Sequence, residues 1–533
     1  MKKKILFLTI VTICFNIHAQ IQVSNFTYNN VQNSSPTGLQ EFNGKILFSA
    51  VNDGYGRELW SSNGTSSNTN IVIDIEPGET DGLYTFYSTI LNNEFYFVAK
   101  DDFSFSGGEI WKTDGTETGS SLVTNYIGTL YGLTTVGNQI YFTIKTSEYS
   151  IQIWKSDGTP SGTVLVKDNI ALWNTPSFIG SVNDLFIFTI QVPSTNNSKV
   201  WRSDGTNAGT YALTGELDGN GSAAGGTSDL SQYIKFNNKL YFITRYSLYE
   251  TNGTTSGTNN ITSVWNAQNN LVDFGDSIEL NGKIYFSFFS KDLKKLSIYK
   301  SDGTSSGTSE IYTVTSSQYF YPSYLNTSGD NLIFSSINSN NGTSLFYLNN
   351  TTNSVTEIIE IDPTAHEPNY FFEIYSVLSL DNIDGNLFFI SSPTEVSQKK
   401  GWILDEVSST LNHVEALDNI VPRIDRKISF NNALYYSKDN QLWKFDTNSL
   451  SVNSIKEIEE FQVFPNPTSE FISFNRPDDI NQIKIYDLKG RLVFEADIFT
   501  YNKINIENIN SGTYIIKILG KNGRITNRKL LKK

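Results

Sequence analysis

Ile153-Trp154-Lys155-Ser156-Asp157-Gly158-Thr159, running on to Gly162-Thr163, is one copy of a pattern that decides the fold. It returns as Ile110-Trp111-Lys112-Thr113-Asp114-Gly115-Thr116, as Val200-Trp201-Arg202-Ser203-Asp204-Gly205-Thr206 and as Ile298-Tyr299-Lys300-Ser301-Asp302-Gly303-Thr304. Looser copies start at Leu59-Trp60 and Leu248-Tyr249. An aromatic strand end, then Asp-Gly or Asn-Gly, then a second β-rich run encodes a hairpin. A period of roughly 40–50 residues marks a propeller or similar array.

A second marker runs in step with the first: a tight turn followed by an apolar-aromatic strand, as in Asn43-Gly44-Lys45-Ile46-Leu47-Phe48 and Asn92-Asn93-Glu94-Phe95-Tyr96-Phe97. It continues at Gly137-Asn138, Asn183-Asp184, Asn237-Asn238, Asn281-Gly282, Gly329-Asp330, Asp384-Gly385 and Asn431-Asn432. These residue types suit turns that need φ > 0. The turns alternate with aromatics at Trp60, Trp111, Trp154, Trp201, Tyr249, Tyr299, Tyr347, Trp402 and Trp443. Each unit therefore reads as a four-stranded meander; in the second, the strands are expected over Tyr87 to Leu91, Glu94 to Ala99, Gly108 to Thr113 and Ser121 to Asn125. The short gaps before Tyr249 and Trp443 predict trimmed loops between second and third strands. One such meander leaves its apolar faces bare, so neighbours must stack. The expected fold is all-β: a large single β-propeller of about nine four-stranded blades over 20–455. Eight blades plus an irregular unit is the rival, because units seven and eight lose the Asp-Gly turn.

Lys2-Lys3-Lys4, an apolar core from Ile5 to Phe15 and Ile17-His18-Ala19 have the layout of a signal peptide, 1–19. The apolar run is too short for a permanent span. Cleavage after Ala19 would remove Cys14, the single cysteine, and leave His366 and His413. That excludes disulfides, zinc–thiolate sites and a cysteine nucleophile from the mature protein. The formal net charge is −14, carried by the body of the chain. From Phe461 onward there are instead 12 Lys and Arg against 7 Asp and Glu. An acidic body argues against nucleic acid or anionic membrane as partner.

After a linker at 456–461, residues 462–533 form a second unit with Phe464-Pro465-Asn466-Pro467, an alternating strand Phe471 to Phe474, and Ile483 to Val493 turning at Asp487-Leu488-Lys489-Gly490. Gly512-Thr513-Tyr514-Ile515-Ile516-Lys517 and a Lys-rich end complete it, with a further turn at Lys521-Asn522-Gly523. Short strands with period-two alternation predict a small Ig-like β-sandwich.

Pro465, Asn466, Pro467, Asp487, Gly490, Gly512, Tyr514 and Lys517 stand in the order and spacing of the C-terminal sorting domain of the type IX (Por) secretion system, which this segment closely resembles over its full length. The resemblance implies export in two steps, first through the inner membrane and then at an outer-membrane translocon. It also implies removal by a sortase-like peptidase, with the product released or held at the cell surface. The repeats resemble the ELWxSDGTxxGT-type repeats of large exported proteins, which implies a propeller-like scaffold and no defined reaction. The Asp-box order of sialidase propellers is absent.

Asp114, Asp157, Asp204 and Asp302 each offer one carboxylate in a loop, fewer acidic ligands than a calcium loop supplies. An Asx-type turn, with Gly115, Gly158, Gly205 and Gly303 at φ > 0, is the simpler reading. Asp53, Asp101 and Asp102 in acidic loops are the better calcium candidates, and no other cofactor is indicated. The aromatics at Trp60, Trp111, Trp154, Trp201, Tyr299 and Trp443 read as packing between blades, whereas Tyr55, Tyr149 and Tyr319-Phe320-Tyr321 are loop candidates for a ligand. No nucleophile elbow, triad setting or phosphate-cradling loop accompanies the histidines. The function expected is binding of a glycan, polymer or surface protein. A secreted polysaccharide hydrolase with carboxylates at the propeller mouth and a purely structural surface protein are the alternatives.

Overall fold

The computed structural model describes residues 19–27, 35–84, 87–101, 107–147, 150–168, 170, 177–192, 195, 197–217, 233–244, 247–263, 272–290, 295–315, 325–338, 343–362, 377–383, 386–391, 400–405, 410–418, 426–446, 463–474, 480–487, 491–497, 503–520 and 525–533. Outside them lie residues 1–18 of the expected signal peptide, the 456–461 linker, the turns at Asp384-Gly385 and Lys521-Asn522-Gly523, and Asp102, Tyr149, Tyr319 to Tyr321, His366 and Gly490. The chain divides into two compact units, Met1–Leu450 and Ser451–Lys533.

Among the described residues the first unit contains nine four-stranded antiparallel sheets, I to IX in chain order. Sheet I comprises Thr37–Phe42, Lys45–Asn52, Gly56–Ser62 and Thr69–Ile73. Sheet II comprises Ser88–Leu91, Glu94–Ala99, Gly108–Thr113 and Ser121–Tyr126, within a residue of the sequence reading. Sheet III comprises Thr129–Val136, Gln139–Ser147, Ser150–Ser156 and Val164–Lys167, and sheet VII comprises Leu325–Ser328, Asn331–Ile337, Thr343–Leu348 and Val355–Asp362. The first hairpins are built as their residues demand. Asn92 and Asn93 have φ of 50° and 61°, Asn237 and Asn238 47° and 56°, and Asn431 and Asn432 47° and 57°, which matches strand twist in a two-residue turn. Where loops were expected to be trimmed, only residues 244–246 and 439–440 separate the second and third strands.

Burial follows strand position. In sheet II the second strand is covered on both faces, from Phe95 to Ala99, whereas the fourth is half-exposed. The reason is visible in the cores. Phe42, Leu47 and Leu59 of sheet I meet Phe95 and Phe97 of sheet II. Leu91, Tyr96 and Val98 meet Leu130, Ile140 and Phe142 of sheet III. Each later pair of neighbours shares such a cluster. The series ends with Phe430, Tyr435 and Leu442 of sheet IX against Leu39, Phe48 and Trp60 of sheet I. The last sheet thus packs on the first, as a β-propeller requires.

Among the described residues, sheet IX draws three strands from its own stretch, Lys427–Phe430, Ala433–Lys438 and Gln441–Asp446. The fourth is Ala19–Gln22, antiparallel to the third, with Ala19 opposite Asp446 and Gln22 opposite Trp443. This strand, which precedes every repeat in the sequence, therefore closes the array. Gln441 secures the following residues. Its Oε1 accepts from the Ser24 hydroxyl at 2.7 Å and the Phe26 N–H at 2.9 Å, and its Nε2 donates to the Phe26 carbonyl at 2.9 Å.

The second unit has a three-stranded sheet (Val463–Phe464, Phe471–Phe474, Ile504–Asn505) and a four-stranded one (Leu492–Asp497, Ile480–Asp487, Gly512–Gly520, Ile525–Lys532). Ile472 and Phe474 of the first share a core with Ile483, Ile485, Ile516, Ile518 and Leu530 of the second.

Candidate functional site

The repeated Asp-Gly motif is satisfied by its own chain. Asp157 Oδ1 accepts from the Thr159 N–H at 2.9 Å and the Thr159 hydroxyl at 2.7 Å. Gly158 N–H donates to Ser156 Oγ at 3.0 Å, and Ser156 Oγ lies 2.7 Å from Thr163 Oγ1. Asp114, Asp204 and Asp302 repeat these contacts with Thr116, Thr206 and Thr304. The donated bonds, hydroxyl first, hold the Asp157 carboxyl below its ordinary range. The later glycine belongs to the same design, since a β-carbon on Gly162 would overlap the Asp157 carboxylate. The turn also leans on the preceding sheet. Gly158, at φ +90°, faces the hydroxyl of Tyr96 so closely that a β-carbon would overlap it. Gly205 meets Tyr141, Gly303 meets Tyr241 and Gly64 meets Tyr435 in the same way. Gly115, by contrast, has open space up to Phe42.

The aromatics form a ladder on the third strands. Trp60, Trp111, Trp154, Trp201, Tyr249, Tyr299, Trp402 and Trp443 pair with Phe48, Phe97, Phe142, Phe188, Phe242, Phe286, Phe389 and Tyr436 of the second strands. Tyr299 stacks on Phe286 at 5.4 Å and Trp154 lies near-parallel to Phe142 at 6.4 Å. In sheet VII the ladder position is Phe346, opposite Phe334, and not Tyr347. A one-residue shift puts a side chain on the other face of a strand. The signal was present: counting from Phe346 places Asn349 at the Asp position, and Asn349 Oδ1 accepts from Thr351 and Thr352 N–H.

Most ladder aromatics are half-buried. At Trp154 this opens a groove of about 380 Å³ between sheets II and III. Thr124, Asn125, Tyr126 and Ile127 form one wall, and Phe142, Ile144, Thr146, Gln152, Trp154 and Thr163 the other. None of these side chains is ionic. Trp154 Nε1 donates to Gln152 Oε1 at 2.9 Å, which orients the indole and leaves the Gln152 amide NH2 as a donor. The groove escaped sequence reasoning because its walls belong to different repeats.

Asp53 lies exposed in the loop after Asn52. Asp101 is buried and accepts from the Tyr126 hydroxyl at 2.8 Å and the Leu130 N–H at 2.7 Å, tying sheet II to the start of sheet III. Among the described residues no three His, Cys, Asp or Glu side chains gather as a metal-ligand group. Tyr55 stands exposed, edge-on to Trp60 at 6.3 Å. His413 contacts Asp418 at 2.9 Å, and Asp418 also accepts from the Gly401 N–H.

Glu58, two positions before Trp60, is fully buried. Its carboxylate accepts from the N–H groups of Ile75 at 3.1 Å and Glu76 at 3.3 Å, holding the chain that leaves sheet I. Burial outweighs these donors and pushes its pKa up from 4.5 to about 7. The fold therefore retains a proton that the unfolded chain has released, and stability falls as pH rises from 4.5 to 7. The stability advantage of wild type over Glu58→Gln is expected to shrink by about 3 kcal/mol across that window. Urea midpoints at both ends measure it, and a constant difference would show that Glu58 ionises normally.

In the second unit Asn466 bridges to the final strand, its Oδ1 accepting from Leu531 N–H at 2.9 Å and its Nδ2 donating to the Lys529 carbonyl at 2.7 Å. Pro465 and Pro467 flank it. Asp487 holds Arg491 across the hairpin turn at 2.8 Å. Gly512 opens the strand that carries Tyr514 and Lys517, and the Tyr514 hydroxyl donates to the Asn510 carbonyl at 2.8 Å. Residues 462–533 match the family model for the secretion system C-terminal sorting domain. This segment is a sorting domain. The sorting domain directs export to the cell surface or the extracellular space and meets the secretion machinery. Among the described residues no helix is long and apolar enough to cross a membrane.

Ulvan lyase NLR42 of Nonlabens ulvanivorans is 25% identical over 170 residues, 28% of this chain and 32% of that protein. The match thus spans about a third of the relative's length. Among solved structures, puromycin hydrolase superposes with a TM-score of 0.34 at 12% identity, covering 70% of this chain and 62% of that one. The β-propeller domain of the Trilobed protease from Pyrococcus furiosus gives 0.31 at 11% identity, over 61% and 98%.

Proposed function

We propose that the nine sheets are nine blades of one ring, exported behind a signal peptide at 1–19 and an Ig-like sorting domain, and that the ring binds polysaccharide. A sortase-type peptidase then removes the sorting domain. The observation carrying the binding reading is the groove beside Trp154. A half-buried indole fixed by Gln152, with Asn125 and Thr146 beside it, supplies the flat apolar face and neutral hydrogen-bonding rim that suit a sugar ring. The likeness to an ulvan lyase, a protein named for a polysaccharide, supports the same class of ligand.

Affinity electrophoresis of the full chain through gels containing soluble polysaccharides tests the reading. Retardation by at least one polymer is expected. Trp154→Ala should weaken it about tenfold, as loss of a central aromatic contact does, with folding verified by protease resistance because the indole also packs on Phe142. Retardation insensitive to Trp154 would remove the groove from the function. Turnover of the polymer, abolished by one carboxylate substitution, would replace binding with hydrolysis.

A further inference from the structure

The four-stranded sheet of the sorting domain has one face in the core and one in solvent, and the solvent face departs from the usual pattern. Inward, Ile483, Ile485, Ile516, Ile518 and Leu530 are buried. Outward residues of a half-buried sheet are ordinarily polar. Here register places Leu492 opposite Tyr486, Tyr486 opposite Ile515 and Ile515 opposite Lys529, one row across all four strands. Leu492 is 47% exposed and Ile515 45%. The next row runs Glu495, Lys484, Lys517 and Asn527, with Lys484 bound to Glu495 at 2.8 Å. Lys517 and Lys529 have no carboxylate opposite them in either row. The outcome, among the described residues, is an apolar bar of Leu492, Tyr486 and Ile515 beside lysines that face no carboxylate.

An exposed apolar strip rimmed by charge on a small domain marks a contact surface. We propose that this face is where the sorting domain docks on the export machinery, and that the machinery offers it an apolar cleft edged by carboxylates. The charge fits that partner: the domain carries its excess of Lys and Arg on a chain whose net charge is −14, so an acidic receptor attracts the tail and repels the cargo. Ile515, at the centre of the row, is the apolar anchor. Lys517 and Lys529 orient the approach.

Full-length protein carrying Ile515→Glu is compared with Phe471→Glu, which alters an equally exposed apolar residue on the other sheet (41%). Both positions are outside the core, and protease resistance of the cell-retained protein verifies folding. Ile515→Glu is expected to lower the exported fraction about tenfold, the scale on which a central apolar anchor weakens an interface, while Ile515→Val restores it. Phe471→Glu leaves export unchanged. Lys517→Glu with Lys529→Glu lowers export as well. Normal export of Ile515→Glu, or loss of export in Phe471→Glu, overturns the proposal.

Discussion

A chain lacking residues 20–26 is expected to lose the cooperative unfolding of the propeller unit. Without them sheet IX keeps three strands, and the core it shares with sheet I loses Val23 and Phe26, buried to 0% and 6% exposure. Burial of those two side chains is worth roughly 1.5–3 kcal/mol each. The bonds through Gln441 and Ser24 add about 1 kcal/mol apiece. A loss on the order of 5 kcal/mol or more is a large share of the stability of any domain. Gln441→Ala, which keeps the strand but strips its side-chain bonds, should show a smaller loss of about 2–3 kcal/mol because the Phe26 N–H loses its partner. Urea midpoints and protease sensitivity of the three proteins rank the effects. Equal midpoints for the deletion and the parent chain would show that the strand merely decorates the ring.

The other large effect concerns destination. Deletion of residues 462–533 removes the sorting domain, and the truncated protein should accumulate inside the outer membrane with none outside. Immunoblots of periplasmic, surface and medium fractions read the result directly. Undiminished export of the truncation would mean that the propeller unit carries an address of its own.

Much of the architecture is legible locally, because each determinant lies within one repeat. Asn92-Asn93 selects its turn by φ, Trp154 sits three residues before Asp157, and Asp157 bonds to Thr159 two residues on. What spans repeats is invisible to such reading. The closing strand meets Gln441 across 415 residues of chain from Phe26, and nothing near Ile21 announces its partner. The groove needs Tyr126 and Trp154 from adjacent units. Glu58 shows the limit from another side: its position is plain in the repeat, but its burial depends on the chain from Ile75 to Gly82 folding over it. The slip at Tyr347 arose where the Asp-Gly marker had been lost and the adjacent Phe346 and Tyr347 offered two registers.

The contact between a turn glycine and the tyrosine of the sheet before it has a consequence for how such a ring changes size. Tyr96 receives Gly158, and Tyr141, one repeat later, receives Gly205. The repeat that holds Tyr141 and Gly158 thus carries one socket and one plug, facing opposite ways along the chain. Tandem duplication of a whole repeat delivers both parts together, so a new unit fits its neighbours without any new surface being invented. Growth by whole units is then the easy route, and the terminal strand alone has to find the new gap.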